Sequence, residues 1–368
     1  MPHAAVLSPA RRPSQYWRGV FVSPHRLVHT CCEMTQPSQT RMEAETREAP
    51  EMAARLVARA SGPLAQLGAR LRASPPRFVV TAGRGSSGAA GLYARYLIEQ
   101  HLGLLTSSAA PSLSSIYGGR LDLREALLLA VSQSGQSPDL IEYFQAAGNQ
   151  GATRVGMINA EGSPLSDAVD ITLPLEAGPE RSVAATKSCL AAMLLSFGLV
   201  AHWRNDPSMI RAFESAPDLF ARALVEDWPD ADAFMQGDAP LYIIGRGPGL
   251  AIAKEAALKL KETSSLFAEA HSSAEVRHGP FALAGPNLRV VVFAQRDAAW
   301  DGLVKLADAF KQAGSPTLFL TWRAGDTQPA LELLAMLARF YLLANATALQ
   351  RGRSPDNPPR LTKITETR

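Results

Sequence analysis

The sequence predicts an α/β protein of two tandem domains, each a parallel sheet flanked by helices in a doubly wound three-layer sandwich. Three observations carry this. Short apolar runs alternate with helical patterns, which means parallel strands covered on both faces. A strand, a Gly-Arg-Gly turn and a helix occur twice, with Gly83 and Gly245 marking copies 162 residues apart (245 less 83). The length of 368 residues, 46% of them apolar, suits two cores better than one.

The elements follow in order. Residues 1–33 are rich in Pro, Arg, Ser and His and have no strand or helix period. We expect residues 1–44 to be a disordered leader or a misassigned start, with Met34 or Met42 as the natural start. Helical sequence begins near Glu43. The first domain is expected over residues 45–205, with strands at 77–82, 126–131, 154–158 and 171–175 and helices at 88–100 and 138–149. The second is expected over residues 206–354, entered through a helical connection at 202–238. Its strands are 241–244, 289–293 and 317–321, and its helices 250–263 and 301–313. Residues 355–368 are Pro-rich and then polar, and read as a tail outside any sheet.

Composition narrows the class of function. The formal net charge of +3 is near balance, so no electrostatic argument favours nucleic acid or a membrane surface. No run of eighteen apolar residues exists, and no membrane-spanning helix is expected. The three cysteines, Cys31, Cys32 and Cys189, have neither zinc-site nor disulfide-framework spacing. A reducing cytoplasm fits, and no metal or cofactor is expected.

Three segments carry chemistry. Ser132, Gln133, Ser134, Gly135, Gln136 and Ser137 follow an apolar strand, and Pro138 then opens a helix at its favoured first position. Free backbone N–H groups at a helix start attract an anion, and hydroxyls complete a cage for phosphate without lysine. Ser86 and Ser87 stand in the equivalent turn after the preceding strand. The two Gly-Arg-Gly turns each lack the full dinucleotide fingerprint, so a nucleotide site is not favoured.

In the second segment, Glu255, Lys259 and Glu262 are spaced i, i+4 and i+7, on one helical face. Alone, that spacing ordinarily marks an exposed salt-bridged face. In the third, His278 precedes a Gly279-Pro280 turn and is loop-borne. Histidine trades protons near neutral pH, and with Glu262 and the lysines it makes an acid/base set for a carbonyl shift.

These residues resemble the SIS (sugar isomerase) domain family. They are similar to the isomerase half of glucosamine-6-phosphate synthase and to the glutaminase-free glucosamine-6-phosphate deaminases. The likeness rests on Gly85-Ser86-Ser87, Ser132 to Ser137, Ser182 to Lys187, Ala257 to Glu262, His278-Gly279-Pro280 and Pro359 to Lys363. It implies two SIS domains. It implies that Ser87, Ser132, Gln133, Ser134 and Ser137 bind the sugar phosphate, and that Gly85, Ser86, Val183 and Ala185 contact the sugar. It implies Glu262 as the base between C1 and C2, with Lys259 close by. It implies His278 as the ring-opening residue, reaching a neighbouring subunit's site in a homodimer. It implies Lys363 as the tail lysine that contacts the open-chain sugar or forms an imine with it.

Two departures point to the deaminase branch. No Cys directly follows Met34 or Met42 to serve a glutaminase, so ammonia from glutamine is not expected. Ala185 stands where the synthases have serine, which leaves the substrate's stereochemistry open. The expected reaction is glucosamine 6-phosphate to fructose 6-phosphate and ammonia. A galactosamine-6-phosphate deaminase, a ketose–aldose isomerase and a non-catalytic sugar-phosphate sensor are the alternatives.

Overall fold

A computed structural model of the chain describes residues 39–322 and 327–363. Most of the expected leader therefore lies outside the described residues. Its boundary at residue 44 is corrected: helix α1 (Arg41–Arg47) is already under way, with the Thr40 hydroxyl accepting from the Glu43 amide at 3.0 Å. The Thr40 cap and a partly buried first turn hold α1 in place.

After α1 come α2 (Ala49–Ala73), β1 (Phe78–Ala82), α3 (Ser86–Leu102), β2 (Thr106–Ser108), α4 (Ser112–Ser115) and β3 (Ala126–Ser132). Then come α5 (Pro138–Gly148), β4 (Thr153–Ile158), α6 (Pro164–Asp167), β5 (Ile171–Pro174) and α7 (Lys187–Arg204). Helices α8 (Pro207–Glu214), α9 (Ala216–Ala223) and α10 (Ala231–Met235) form the connection. The second half has β6 (Leu241–Gly245), α11 (Gly249–Ser264), β7 (Ala268–Ser272), β8 (Arg289–Phe293), α12 (Trp300–Gln312), β9 (Thr317–Leu320) and α13 (Pro329–Gln350).

Both sheets are wholly parallel, in the orders β2-β1-β3-β4-β5 and β7-β6-β8-β9. The first four strands of one match the four of the other, as a duplication requires. Each chain order reverses between the first strand and the one paired on its other side, at β1/β3 and at β6/β8. Crevices for ligands form at such reversals, beyond the carboxyl ends of the strands.

Every expected strand is present, within a residue or two at each end. Two strands carry no apolar run and were not expected: β2 and β7, the short polar edges of the two sheets. The Gly-Arg-Gly turns are true copies. Gly85 and Gly247 adopt φ of +53° and +57°, open to glycine at little cost. Gly83 and Gly245 let each strand end lie against the following helix start. A Cβ on Gly245 would sit 2.1 Å from the Gly249 carbonyl oxygen, and one on Gly83 2.7 Å from that of Ser87.

The helical connection does not belong to one half alone, since α9 packs on both α2 and α13. Helix α13 is long and apolar enough to cross a membrane by length and composition. In the fold, 83% of that stretch is buried inside the protein, against α11, α9, α7 and α1. It is a core helix that joins the two halves.

The close approach at the second turn gives a stability test. Gly245→Ala should cost at least about 2 kcal/mol, because the obstacle is backbone and cannot swing away. Gly302→Ala, in the exposed first turn of α12 where a Cβ meets nothing within 4 Å, should instead gain about 0.5–1 kcal/mol. Urea midpoints of the two variants, compared with the parent, check both signs.

Candidate active site

The reversal between β1 and β3 builds the first part of the site. Beyond β1, Gly85 ends the turn and Ser86 begins α3. Beyond β3, residues 132–137 lead into α5, with Ser137 extended at its N-cap and Pro138 at the first helical position. Gly135 has φ +63°, and a Cβ there would overlap the Ser163 side chain, so this loop needs glycine. Arg84 and Asp139 form an ion pair that ties the two loops together.

Between the loops, Ser86, Ser87, Gln133, Ala185, Ser188 and Cys189 line a tight cleft of about 20 Å³. The roomier hollows, near Tyr143 and near Arg77, lie at the amino ends of the strands and away from these residues. Ser132 and Ser134 stand in the same loop. Their hydroxyls accept from the Gly135 and Gln136 amides at 2.9 and 3.3 Å. They brace the loop from within.

Helix α11 lies against α3 and brings the second part. The Lys259 ammonium is 2.5 Å from Glu262 and 3.5 Å from Glu255. The side chains of Glu255 and Lys259 are 0% and 1% exposed, and that of Glu262 20%. The exposed salt-bridged face that this spacing ordinarily marks is thus excluded by burial. Glu255 also accepts from the Ser86 hydroxyl at 3.1 Å and from the Tyr341 hydroxyl of α13 at 3.0 Å. A continuous chain of contacts therefore runs from the first residue of α3 to Glu262.

The electrostatics follow from this packing. Burial raises the Glu255 carboxyl to about 7, with Lys259 opposing and Glu262 adding to the rise. Burial alone would drive the Lys259 ammonium down, but Glu255 and Glu262 together lift it above its ordinary value. Lys259 is therefore a fixed cation beside Glu262.

The tail supplies the third part. Lys363 donates to the Ser182 carbonyl oxygen at 2.7 Å and pairs with Glu180 at 3.2 Å. Glu180 also accepts from the Thr186 and Ser188 amides and the Ser188 hydroxyl. Burial pushes the Glu180 carboxyl up, but Lys363 and these hydrogen bonds outweigh it and hold it below the usual range. Ser188 and Ala185 line the cleft, and Glu180, the partner of Lys363, is hydrogen-bonded to Ser188. Val183, in the same loop, donates its amide to the Asp356 carbonyl oxygen at 3.2 Å.

His278 is not brought into this set. It stands exposed on the turn after a short 3-10 segment, Glu275–Arg277. Among the described residues, no hydrogen bond or ion pair joins it to Glu262, Lys259 or Lys363. Sequence reasoning placed Glu255 on the right face without assigning it a role, and missed Glu180, Ser188 and Tyr341. Glu180 and Ser188 flank the quoted Ser182–Lys187 stretch and were within reach of inspection. Tyr341 lies in α13, and no local pattern announces it.

Comparison with known proteins gives the family. The chain belongs to the SIS domain family, whose model matches residues 74–201 and 238–336. It is 33% identical over 309 residues to a glutamine–fructose-6-phosphate aminotransferase of Aeropyrum pernix, covering 76% of this chain and 50% of that one. A Thermus thermophilus protein of the same name is 31% identical over 305 residues, with the same coverage of each chain. The chain thus spans about half the length of the curated relatives it matches. Among solved structures, a candidate phosphosugar isomerase of Silicibacter pomeroyi superposes with a TM-score of 0.82 at 38% identity, over 86% of this chain and 100% of that one. A glucosamine-6-phosphate deaminase of Thermotoga maritima shares the fold, with a TM-score of 0.72 at 21% identity, over 89% of this chain and 100% of that one. The chain is a phosphosugar-isomerase-like protein, akin to the isomerase half of the aminotransferases.

The raised Glu255 carboxyl makes stability depend on pH. The unfolded chain gives up this proton near the ordinary value of 4.5, the folded chain only near 7. Between those values the unfolded state holds fewer protons. The stabilisation is whole below the lower value and lost as pH rises through the upper one. Glu255→Gln keeps the shape and cannot ionise, so it should gain on the parent between about pH 5 and pH 8. Parallel melting-temperature profiles for parent and variant across that range would show that Glu255 does not hold its proton.

Proposed function

We propose that the chain is a glucosamine-6-phosphate deaminase, releasing ammonia and fructose 6-phosphate. The observation that carries the reading is Glu262, held by the buried Lys259 cation and linked through Glu255 to the helix start that would bind the phosphate. A carboxylate so placed suits transfer of a carbon-bound proton, and the helix starts of α3 and α5 suit a dianion.

In this reading the phosphate sits on the α3 and α5 amides, with Ser87, Ser132, Gln133, Ser134 and Ser137 around it. Gly85, Ser86, Val183 and Ala185 border the sugar. His278 assists ring opening to the C1 aldehyde. Glu262 takes the C2 proton and returns it to C1 while a proton passes from the amine to the former aldehyde oxygen, which leaves an imine at C2. Water adds to that carbon, ammonia leaves, and the ketone remains. The step is redox-neutral: one water enters and one ammonia departs, and neither metal nor cofactor is needed. Lys363 meets the open-chain sugar from the 180–188 loop.

The reading divides the chain into a first SIS domain over about residues 45–205, a second over 206–354 and an active-site tail, with α1 now joined to the first. It includes a homodimer. His278 is exposed and unconnected to Glu262 within one chain, which suits service to a neighbouring subunit's site. A phosphorylated substrate and a buried free Cys189 suit the cytoplasm.

The first test is ammonia release from a panel of hexosamine 6-phosphates, run beside aldose and ketose 6-phosphates without nitrogen. Conversion of the latter alone would make the protein a ketose–aldose isomerase, and binding without turnover would make it a sensor. Within an active enzyme, Glu262→Gln should lower kcat by about a hundredfold or more with KM within a few-fold, since it removes a base used in the transition state. Ser134→Ala should mainly raise KM, by the equivalent of about 1–3 kcal/mol for a hydrogen bond to a charged group. A Glu262→Gln enzyme with normal turnover rejects the mechanism.

Subunit sharing has its own measurement. Glu262→Gln and His278→Ala proteins, each inactive alone, should regain part of the parent activity when mixed and allowed to exchange subunits. Proven exchange without recovery would place His278 in its own chain's site or outside any site.

A further inference from the structure

Helix α1 precedes the first sheet and takes no part in either sandwich layer described above, yet its polar groups are spent on two distant segments. At its start, the Arg41 and Met42 amides donate to the two oxygens of Asp356 at 2.9 and 2.8 Å. The acceptor is 314 or more residues away in sequence, in the tail that carries Lys363. Thr40 adds a 2.6 Å bond to Asn345 of α13. From the middle of α1, the buried Glu45 accepts from the Arg181 and Ser182 amides. From its end, Glu48 pairs at 2.6 Å with Lys187, which is 1% exposed.

The two targets also meet each other. Val183 donates its amide to the Asp356 carbonyl oxygen, and Lys363 reaches back to the Ser182 carbonyl and Glu180. Helix α1, the 180–188 loop and the tail therefore close a triangle with bonds on all three sides. Lys363 stands at the corner where the tail meets the 180–188 loop.

We infer that α1 is a clamp that positions the tail lysine. Asp356 ties the tail to α1, and Glu45 ties α1 to the loop on which Lys363 docks. Neither carboxylate lines the cleft, so both are positioning residues that act through Lys363 and the loop. The inference rests on the role proposed for Lys363, but the clamp itself is a structural claim with its own readout.

Hydrogen exchange on the whole chain tests the clamp without any assay of turnover. Asp356→Ala should speed exchange at Arg181–Val183 and in the tail by at least about tenfold, while the β3 amides keep the parent rate as an internal reference. Acceleration confined to residues 41–43 would overturn the clamp, because Asp356 would then be only a helix cap. Asp356→Asn, which keeps one acceptor oxygen, should fall between, and it decides the matter if the alanine protein does not fold. If the chain deaminates amino-sugar phosphates, Asp356→Ala should lower kcat/KM by about tenfold, with little further loss when added to Lys363→Met. Full additivity of those two changes would overturn the positioning role. Absence of any deaminase activity in the parent rejects the proposed function and leaves the exchange result to judge the clamp.

Discussion

The structure turns on one buried cation. Taking an ammonium out of water costs several kcal/mol unless partners replace its hydration. Lys259 meets this with two carboxylates from its own helix, Glu255 one turn before and Glu262 one turn after. Two carboxylates around one cation leave a surplus negative charge in an apolar setting. Burial, with the nearby Glu262 charge adding to it, makes Glu255 tend to keep its proton, against the pull of Lys259 and of the hydrogen bonds from Tyr341 and Ser86. Helix α11 is thus tied to α3 of the first half and to α13 of the core. Displacing it would leave several groups unpaired at once.

The duplication explains why one crevice is equipped and the other is not. At β1/β3 the loops end in small hydroxyl residues and leave a cleft. At β6/β8 the corresponding place is taken by Gln295, which is fully buried. Its amide donates to the Arg246 carbonyl oxygen at 3.0 Å and to Asp297 at 3.1 Å. Its oxygen packs so close to the start of α11 that a Cβ on Gly249 would lie 3.0 Å away. The second copy of the turn therefore spends its polar groups internally. Its helix brings the Glu–Lys–Glu face against the start of α3 in the first half, through the Ser86–Glu255 hydrogen bond.

Helix α1 and the segment that carries Asp356 meet outside both sheets. Segments separated by more than 300 residues meet at Asp356 and the first amides of α1. The loop between them, residues 180–188, has little regular structure, but the amides of Arg181, Ser182, Val183, Thr186 and Ser188 are bonded to α1, to the tail or to Glu180. Irregular backbone can be held firmly when its N–H and C=O groups find partners.

What the sequence alone determined is what neighbouring residues decide. Apolar runs announce the central strands, because a strand buried on both faces must be apolar along its length. Gly-Arg-Gly marks both turns, since the second glycine needs positive φ and the first a close approach. Spacing put Glu255, Lys259 and Glu262 on one face, as helix geometry requires, and a Ser-rich turn before Pro138 marked the start of helix α5. The rest depended on what covers each element. The edge strands β2 and β7 are held by hydrogen bonds to a neighbouring strand, which leave no apolar trace in residues such as Thr106–Ser108. Spacing could not say whether the α11 face meets water or protein. Packing against α3 and α13 buried it, and burial turned an ordinary salt-bridge pattern into a fixed cation and a proton-holding carboxyl. Tyr341, Glu180 and the Asp356 contact were likewise hidden, because their partners lie far away in sequence and only the folded chain sets them within hydrogen-bond reach.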